Sequence, residues 1–379
     1  MTVWIQNPFD GLPSEGGRKQ RYWLMSEAFI RAGHRVTYWT SDFSHAAKSR
    51  REAPTSVPDG MEIAMVPTMP YGGNVSVRRV ASHRAYARSW ARMAQERGEK
   101  PDLIVSSIPS ISAASAAISL GRRLGARVVI DVQDAWPETF ERLAPRPLRP
   151  ATRALLAPLR REAQRIYRDA DVVTGVCDRY RQLTGRDDYF RAYLGIEAPR
   201  HRFMESWRYG TGGRRLVYSG NLGRSYDLDT VVKAVKADES LELDVAGFGE
   251  LSSDCPRVRF HGMLTDERLQ ALLAECDIGV IPMRDDSWVG IPNKMFDYAA
   301  AGLRIVTSLG GETSALVAKY RCGATYRPGV ATSLAAAVSA CAGIGRAAAL
   351  EMCRREFDAI KIYDDYVRCV TASASCRSN

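Results

Sequence analysis

The feature that most constrains this chain is an exchange between two periodicities, kept up from one end to the other. Short β-rich runs, "TVWIQ" (2–6), "RVTYWTS" (35–41), "EIAMVP" (62–67), "DLIVSS" (102–107) and "RVVIDV" (127–132), alternate with stretches of helical spacing. Between the first two, Tyr22, Met25, Phe29 and Ile30 keep a helical interval, and Gly33 supplies the stop. Strands that alternate with helices pair in parallel and carry helices on both faces.

A second series starts at "RRLVYSG" (214–220) and runs through "LELDVAG", "VRFHG", "DIGVIP" and "LRIVTS" (303–308). The expected class is therefore α/β, two doubly wound Rossmann-like domains facing a central cleft. At 379 residues the chain can bury two cores, given roughly 150 residues per domain. The break is expected near 195–212, where periodicity fails. This gives domains at 1–200 and 201–355. Residues 356–379 form an amphipathic helix, "FDAIKIYDDYVRCV", crossing back to the first domain, and a polar tail.

The charge is uneven. Residues 1–200 hold 31 Lys+Arg and 21 Asp+Glu, whereas 201–379 hold 22 of each, so the whole formal excess of +10 lies in the first half. Such a half suits an anionic partner, whether nucleic acid, membrane headgroups or a phosphorylated acceptor, although a well-solvated Arg-rich surface reads the same way. No stretch has the length and apolarity of a membrane span, and no basic start precedes an apolar run, so a cytoplasmic protein without signal peptide is expected. The eight Cys show no metal-ligand spacing and read as reduced core thiols, with no zinc site expected.

Ligands of such sheets bind outside the carboxyl ends of the strands, so the informative loops are those that follow strands. Five of them carry charge, four of those together with Gly. After the first strand, Gly16-Gly17 open a helix with Arg18, Lys19 and Arg21 in its first turn, where cations oppose the helix dipole unless an anion docks. "YSGNLGRSY" offers Asn221 and Arg224 in a glycine-bracketed turn. "DVQDAWPETF" places Asp131 and Asp134 at a strand end, where Asp134 either orients an acceptor hydroxyl or caps the next helix.

"GIPNKMFDYAAAG" (290–302) reads as a helix start with Pro292 at its first position and Asn293 as cap. Met295, Phe296, Ala299 and Ala300 face the core, while Lys294 and Asp297 either form an ordinary pair or grip a phosphate and a ribose. "LGGETSALV" opens a further helix with Glu312, a sugar contact or simply a first-turn acid.

Taken in order, "EGGRKQRY", "DVQDAWPE", "YSGNLGRSYDLDTVVKA", "RFHGMLTDERLQALLAECDIGVIPM" and "GIPNKMFDYAAAGLRIVTSLGGE" resemble glycosyltransferase family 4 over roughly residues 3–330. The bacterial surface-polysaccharide branch that includes N-acetylfucosaminyl transferases is the most similar. The resemblance implies a GT-B fold, a nucleoside-diphosphate sugar donor such as a UDP-sugar, retention of configuration, and no metal or other cofactor. It implies a glycan or polyprenyl-diphosphate-linked acceptor.

The family's glutamate pair, with seven residues between its members, maps onto Val289 and Asp297. Asp297 is then expected on the donor ribose, with Gly290, the backbone near Ile291, and Glu312 taking the sugar contact that Val289 cannot make. The family's Arg and Lys on the diphosphate fall near Asn221 and Tyr226, leaving Arg224 and Lys294 as the compensating cations. Its His becomes Gln133, leaving Asp134 on the acceptor side. The expected arrangement puts the diphosphate between Gly16-Gly17 and Arg224/Lys294, and the base near Phe248 and the Phe260-His261-Gly262 turn. Asp134, Arg224 and Lys294 are the expected catalytic residues.

"RPLRPATRALLAPLRREAQRIYR" carries seven Arg (146, 149, 153, 160, 161, 165, 168) among Leu148, Leu155, Leu156, Leu159 and Ile166. It suits either peripheral contact with the inner face of an anionic membrane or packing on the domain core, and Pro158 divides it. Two other functions compete. A GT-B nucleotide-sugar epimerase would need more acid and base residues around the cleft. A nucleic-acid-binding protein would need an aromatic-interleaved recognition motif, which is not present, so no nucleic-acid partner is expected.

Overall fold

The computed structural model describes residues 1–73, 76–197, 214–223, 225–284 and 287–372. One sheet contains β1 (Thr2–Gln6), β2 (Arg35–Ser41), β3 (Met61–Val66), β4 (Leu103–Ile108), β5 (Arg127–Val132), β6 (Val172–Gly175) and β7 (Phe190–Arg191). Its order is β3-β2-β1-β4-β5-β6-β7 and every pairing is parallel. A second sheet contains β8 (Arg215–Ser219), β9 (Glu242–Ala246), β10 (Val258–Gly262), β11 (Ile278–Ile281), β12 (Arg304–Thr307) and β13 (Gly323–Thr325). Its order is β10-β9-β8-β11-β12-β13, again all parallel.

Both sheets are doubly wound. In each, the strand order reverses between the first strand and the fourth, at β1/β4 and at β8/β11, which is where loops diverge and a ligand crevice opens. The central strands are buried on both faces: every residue of β4 and of β11 is buried, Ser106 and Ser107 of β4 included. In the second sheet, Leu216, Leu243 and Val280 pack with helices Leu228–Ala237 and Ala331–Ala340 through Val231, Val235 and Leu334.

The chain divides into two compact units, one containing Met1–Tyr193 together with the chain from Ile360 onward, the other Leu194–Ala359. The terminal helix Ala359–Thr371 thus returns to the first unit, where Tyr363 and Tyr366 are buried and Asp364 pairs with Arg31 at 2.7 Å. Most of the break expected near 195–212, and the polar tail from 373, lie outside the described residues.

Two local expectations change. Strands β6, β7 and β13 were too short to show a period. The first α-helix is Arg21–Arg31 and does not open at Gly16-Gly17. A 3-10 turn, Pro13–Glu15, ends at Gly16 in the left-handed region (φ 81°), and Gln20 is extended, so Arg18 and Lys19 precede the helix. The three cations therefore do not share a first turn. The Arg-rich segment forms two helices, Arg149–Leu155 and Ala157–Asp169. Ala163, Ile166 and Tyr167 turn inward, whereas Leu148 and Leu155 are 57% and 79% exposed. Among the described residues, no helix is long and apolar enough to cross a membrane.

Candidate active site

At the carboxyl end of the second sheet, the loops after β8, β9 and β10 are tied backbone to backbone. Gly220 N–H donates to Ala246 O (2.8 Å), Leu222 N–H to Phe248 O (2.9 Å) and Gly247 N–H to Gly262 O (2.7 Å). The approach is so close that a Cβ on Gly247 would lie 1.8 Å from the carbonyl oxygen of Gly220, and Gly247 has φ 147°. Only glycine fits there. Phe248, Phe260 and Met263 stand 56%, 40% and 74% exposed at this end of the sheet, an apolar surface of a kind seldom left open without use.

His261 donates its Nε2–H to Asp244 Oδ1 at 2.7 Å, and Asp244 is fully buried with Arg215 (2.7 Å) and Arg259 (2.9 Å) beside it. Burial alone would raise the Asp244 carboxyl; hydrogen bonds from Arg259, Arg215 and His261 outweigh it and hold the group well below the usual carboxylate range. His261 is thus engaged with the sheet edge.

The helix Lys294–Ala300 starts after Asn293, which has helical dihedrals and makes no side-chain capping bond, so Pro292 precedes the helix instead of opening it; all seven helical residues are buried, Lys294, Asp297 and Tyr298 as well as the apolar ones. Tyr298 Oη accepts the Ser219 N–H at 2.9 Å, pinning the end of β8. A Cβ on Gly279 would meet the Tyr298 ring at 2.2 Å, so the glycine in β11 makes room for that ring. The Lys294 stem ends between two more rings, with Nζ 4.7 Å from the centre of Tyr218 and 4.0 Å from that of Tyr226. It also reaches the loop after β8, since a Cβ on Gly220 would lie 3.6 Å from Nζ. Burial pulls this ammonium down to about 7, against the upward pull of Asp297.

The remaining expected residues of the second unit line the neighbouring loops. Asn221 is exposed, and its carbonyl accepts a hydrogen bond from Tyr218 Oη. Arg224 lies outside the described residues. Gly290, Ile291 and Pro292 are buried. The Gly290 carbonyl accepts Thr313 Oγ1 at 2.7 Å, which ties this loop to the helix Glu312–Tyr320 and brings half-buried Glu312 close to it. Val289 N–H donates to Ser287 Oγ (3.2 Å).

In the first unit, the loop after β1 is held from behind. Arg51, 8% exposed, donates to Glu15 Oε1 (2.7 Å) and Asp10 O (3.0 Å), and Glu15 in turn accepts Leu12 N–H (3.0 Å). Its tip stays open: a Cβ on Gly16 or Gly17 would meet nothing within 4 Å. Asp134, after β5, accepts Ala135 N–H (2.8 Å), and burial raises its carboxyl pKa against that bond and the nearby Arg79. Arg21 is buried on Asp131, unavailable to a ligand. Sequence reasoning passed over Arg79 and His83, which face Trp136 beside Asp134 (4.9 Å from the Arg79 Cζ and 5.6 Å between rings). Their spacing of four on one helix was the available clue. Among the described residues, no group of three or more His, Cys, Asp or Glu could hold a metal.

Residues 16–203 match the model of the glycosyl transferase 4-like domain, and residues 213–343 that of glycosyl transferases group 1. The fold is similar to that of sucrose-phosphate synthase from Thermosynechococcus elongatus (TM-score 0.71, 13% identity, 97% of each chain). It is similar to Anabaena HepE solved with UDP-glucose (TM-score 0.65, 15% identity, 98% of this chain and 99% of that one). It is also similar to WaaG, a glycosyltransferase involved in lipopolysaccharide biosynthesis (TM-score 0.62, 15% identity, 98% of this chain and 100% of that one). No curated protein sequence matches.

Proposed function

This chain is a glycosyltransferase of the GT-B fold, and we propose that it transfers a sugar from a UDP-sugar to a glycan or polyprenyl-diphosphate-linked acceptor in surface-polysaccharide synthesis. In this reading the reaction retains anomeric configuration and uses no metal.

The observation that carries the donor side is Lys294. Its ammonium is buried among aromatic faces and, among the described residues, makes no ion pair; the fall of its pKa to about 7 measures how incompletely its charge is compensated. Cation–π contact returns about 2 kcal/mol or somewhat more in a desolvated setting, less than the several kcal/mol that burying a charge costs. A nucleoside diphosphate supplies the missing charge. Fixed cations and amides then stabilise the charge that grows on the leaving diphosphate, which is the work a divalent metal does elsewhere.

Around Lys294 we assign Asp297 to the ribose, Phe248 to the base, and Gly290 with Glu312 to the sugar; Arg224 supplies a second cation. Asp134, its carboxyl raised by burial, orients the acceptor hydroxyl. The exposed Leu148 and Leu155, set among Arg146, Arg149, Arg153 and Arg161, support peripheral contact with an anionic membrane, where a lipid-linked acceptor resides. That HepE was solved with UDP and with UDP-glucose favours uridine as the base.

A thermal-shift panel of UDP, GDP, TDP and DNA tests the reading. Stabilisation by UDP that disappears in Asp297→Ala is expected, and stabilisation by DNA alone overturns it. Hydrolysis of a panel of UDP-sugars then identifies the donor.

A further inference from the structure

The excess of positive charge in the first half has a place in the fold. The steps from β3 to β4, β4 to β5 and β5 to β6 all run the same way through the sheet order. Right-handed crossovers therefore put their helices on one face of the first sheet. Val77–Glu96 packs on Ile111–Leu124, which packs on Ala157–Asp169. Together the three helices contain eleven Arg, no Lys and three acidic residues. Arg79 turns to Trp136 and Arg160 to Glu138 and Glu141; the other nine are exposed.

Three carboxylates do not match nine guanidinium groups. Glu162 pairs with Arg165 (2.7 Å), Glu96 lies 3.9 Å from Arg92, and Asp169 is shared by Arg122 (3.0 Å) and Arg168 (3.6 Å). Among the described residues, Arg84, Arg88, Arg123 and Arg161 make no ion pair. Arg84, Arg88 and Arg92 follow at intervals of four, about 6 Å along the helix, where like charges repel. On the third helix, Arg161, Arg165 and Arg168 border an open groove of about 490 Å³. The fold thus holds together a set of cations that an anionic chain would relieve.

The rest of this face narrows the partner. Its one exposed large apolar side chain is Val77, at the start of the first of the three helices, and its aromatic rings are all buried. It gives a bilayer nothing to insert, unlike Leu148 and Leu155, and gives single-stranded nucleic acid no ring on which bases could stack. Three helices packed side by side leave none free to enter the groove of a duplex. What fits is a hydrated chain with anionic groups at short intervals, and guanidinium forks pair with carboxylates at two points.

We propose that this helical layer is a docking surface for an acidic glycan chain whose sugars carry carboxylates. Several weak pairs on one chain add as avidity, so a polymer is retained where a single sugar is not, and its reactive end stays at high effective concentration. Naming the chain as a glycan rests on the transferase reading above; the cationic layer stands without it.

Titration of the full chain without donor tests this, with oligogalacturonate, galacturonate, dextran of equal length and a DNA duplex of equal charge as probes. Oligogalacturonate should bind about tenfold or more tightly than dextran, equivalent to about 1.4 kcal/mol, and should weaken as salt rises. Galacturonate alone should bind at least tenfold more weakly than the oligomer. The variant Arg84→Gln/Arg88→Gln/Arg123→Gln/Arg168→Gln, all at exposed helical positions, should lose the preference while its melting curve and UDP binding match the wild type. Equal binding of dextran, no binding of oligogalacturonate, or a preference unchanged in the variant overturns the proposal. Tighter binding of the duplex overturns it in favour of nucleic acid. Vesicle sedimentation lost in the variant while oligogalacturonate still binds overturns it in favour of a membrane. If oligogalacturonate binds as expected but UDP does not, the surface stands and the transferase reading falls.

Discussion

Arg21 and Asp131, 110 residues apart, form a bidentate ion pair with both contacts at 2.8 Å and side chains 1% and 0% exposed. The same carboxylate accepts Tyr22 Oη and Thr174 Oγ1, each at 2.7 Å, and Arg21 also donates to the carbonyls of Ala192 (2.8 Å) and Tyr193 (3.1 Å). One buried carboxylate thus joins the first helix, β5, β6 and the chain leaving β7. Arg21→Met strands that charge and should cost about 3–5 kcal/mol in urea unfolding. The double variant Arg21→Met/Asp131→Leu should recover a large part of the loss, because the pair's own desolvation cost disappears with it. A double-variant loss equal to the sum of the losses of Arg21→Met and Asp131→Leu alone would show that the two residues are not coupled.

Asp10 behaves in the opposite sense. It is 8% exposed, accepts the Tyr22 N–H at 3.2 Å, and burial lifts its carboxyl to about 6, above the ordinary 3.8. A raised folded pKa means that the stability tied to the protonated form is complete below pH 3.8 and lost as pH rises through about 6. Asp10→Asn keeps the acceptor for Tyr22 and removes the charge. It should match the wild type near pH 4 and exceed it by up to about 3 kcal/mol at pH 8. Melting curves of both proteins across that range decide it; a constant difference would rule out titration of Asp10 as the source.

Gly247 is where the loops after β8 and β9 admit no side chain. A Cβ there would lie 1.8 Å from the Gly220 oxygen, and φ is 147°, so Gly247→Ala must push the loops after β8 and β9 apart. UDP affinity should fall by about tenfold or more, together with about 1–3 kcal/mol of stability. Gly345→Ala, where a Cβ meets nothing within 4 Å, should leave both within about 0.5 kcal/mol. Calorimetric titration of both variants separates a loop effect from a general loss of glycine.

The alternation of periods was enough to read both parallel sheets, because each long strand carries its own apolar run. It could not reveal β7, which has two residues and exists only through its pairing with β6. Glycine plus charge at strand ends led to Lys294 and to the turn at Asn221; the close approach of Gly220 and Gly247 was not visible there, because it is made between two separate loops. Arg21 was misread as a surface cation: its partner is 110 residues away, and nothing local to a helix start reveals a buried carboxylate. The ring cluster around His83 stayed hidden for the same reason. Phe9, His45, Tyr71 and Trp136 come from four separate stretches, and only the sheet order brings them together.

The Arg-rich helices give a prediction about surfaces. Leu148 and Leu155 are exposed, while Arg160 is drawn to Glu138 and Glu141 at 3.0 and 3.1 Å and so belongs to the fold. Contact with a bilayer should therefore depend on the leucines together with Arg146, Arg149, Arg153 and Arg161. The protein should sediment with anionic vesicles at low salt and release at high salt, as screening shortens the reach of the charges. Leu148→Gln/Leu155→Gln should weaken sedimentation without changing UDP binding. Equal partition to neutral vesicles would end the membrane assignment.

Lys294 ties pH, stability and donor binding to one proton. Its folded pKa of about 7 lies below the ordinary 10.5, so the unfolded chain binds more protons between those values and stability rises with pH across that window. Removing the buried charge in Lys294→Met should raise the melting temperature of the unliganded protein at pH 7, an effect on the order of a few kcal/mol. The same change should cost about 1.5–3 kcal/mol of UDP affinity, the worth of a hydrogen bond to a charged group. In the wild type, a diphosphate must recover the proton that burial has expelled. Its Kd should be flat below pH 7 and climb toward about tenfold per unit above it, with net proton uptake visible as a buffer-dependent binding enthalpy. A Kd that stays constant from pH 6 to pH 9 would mean that the ammonium and the diphosphate do not meet.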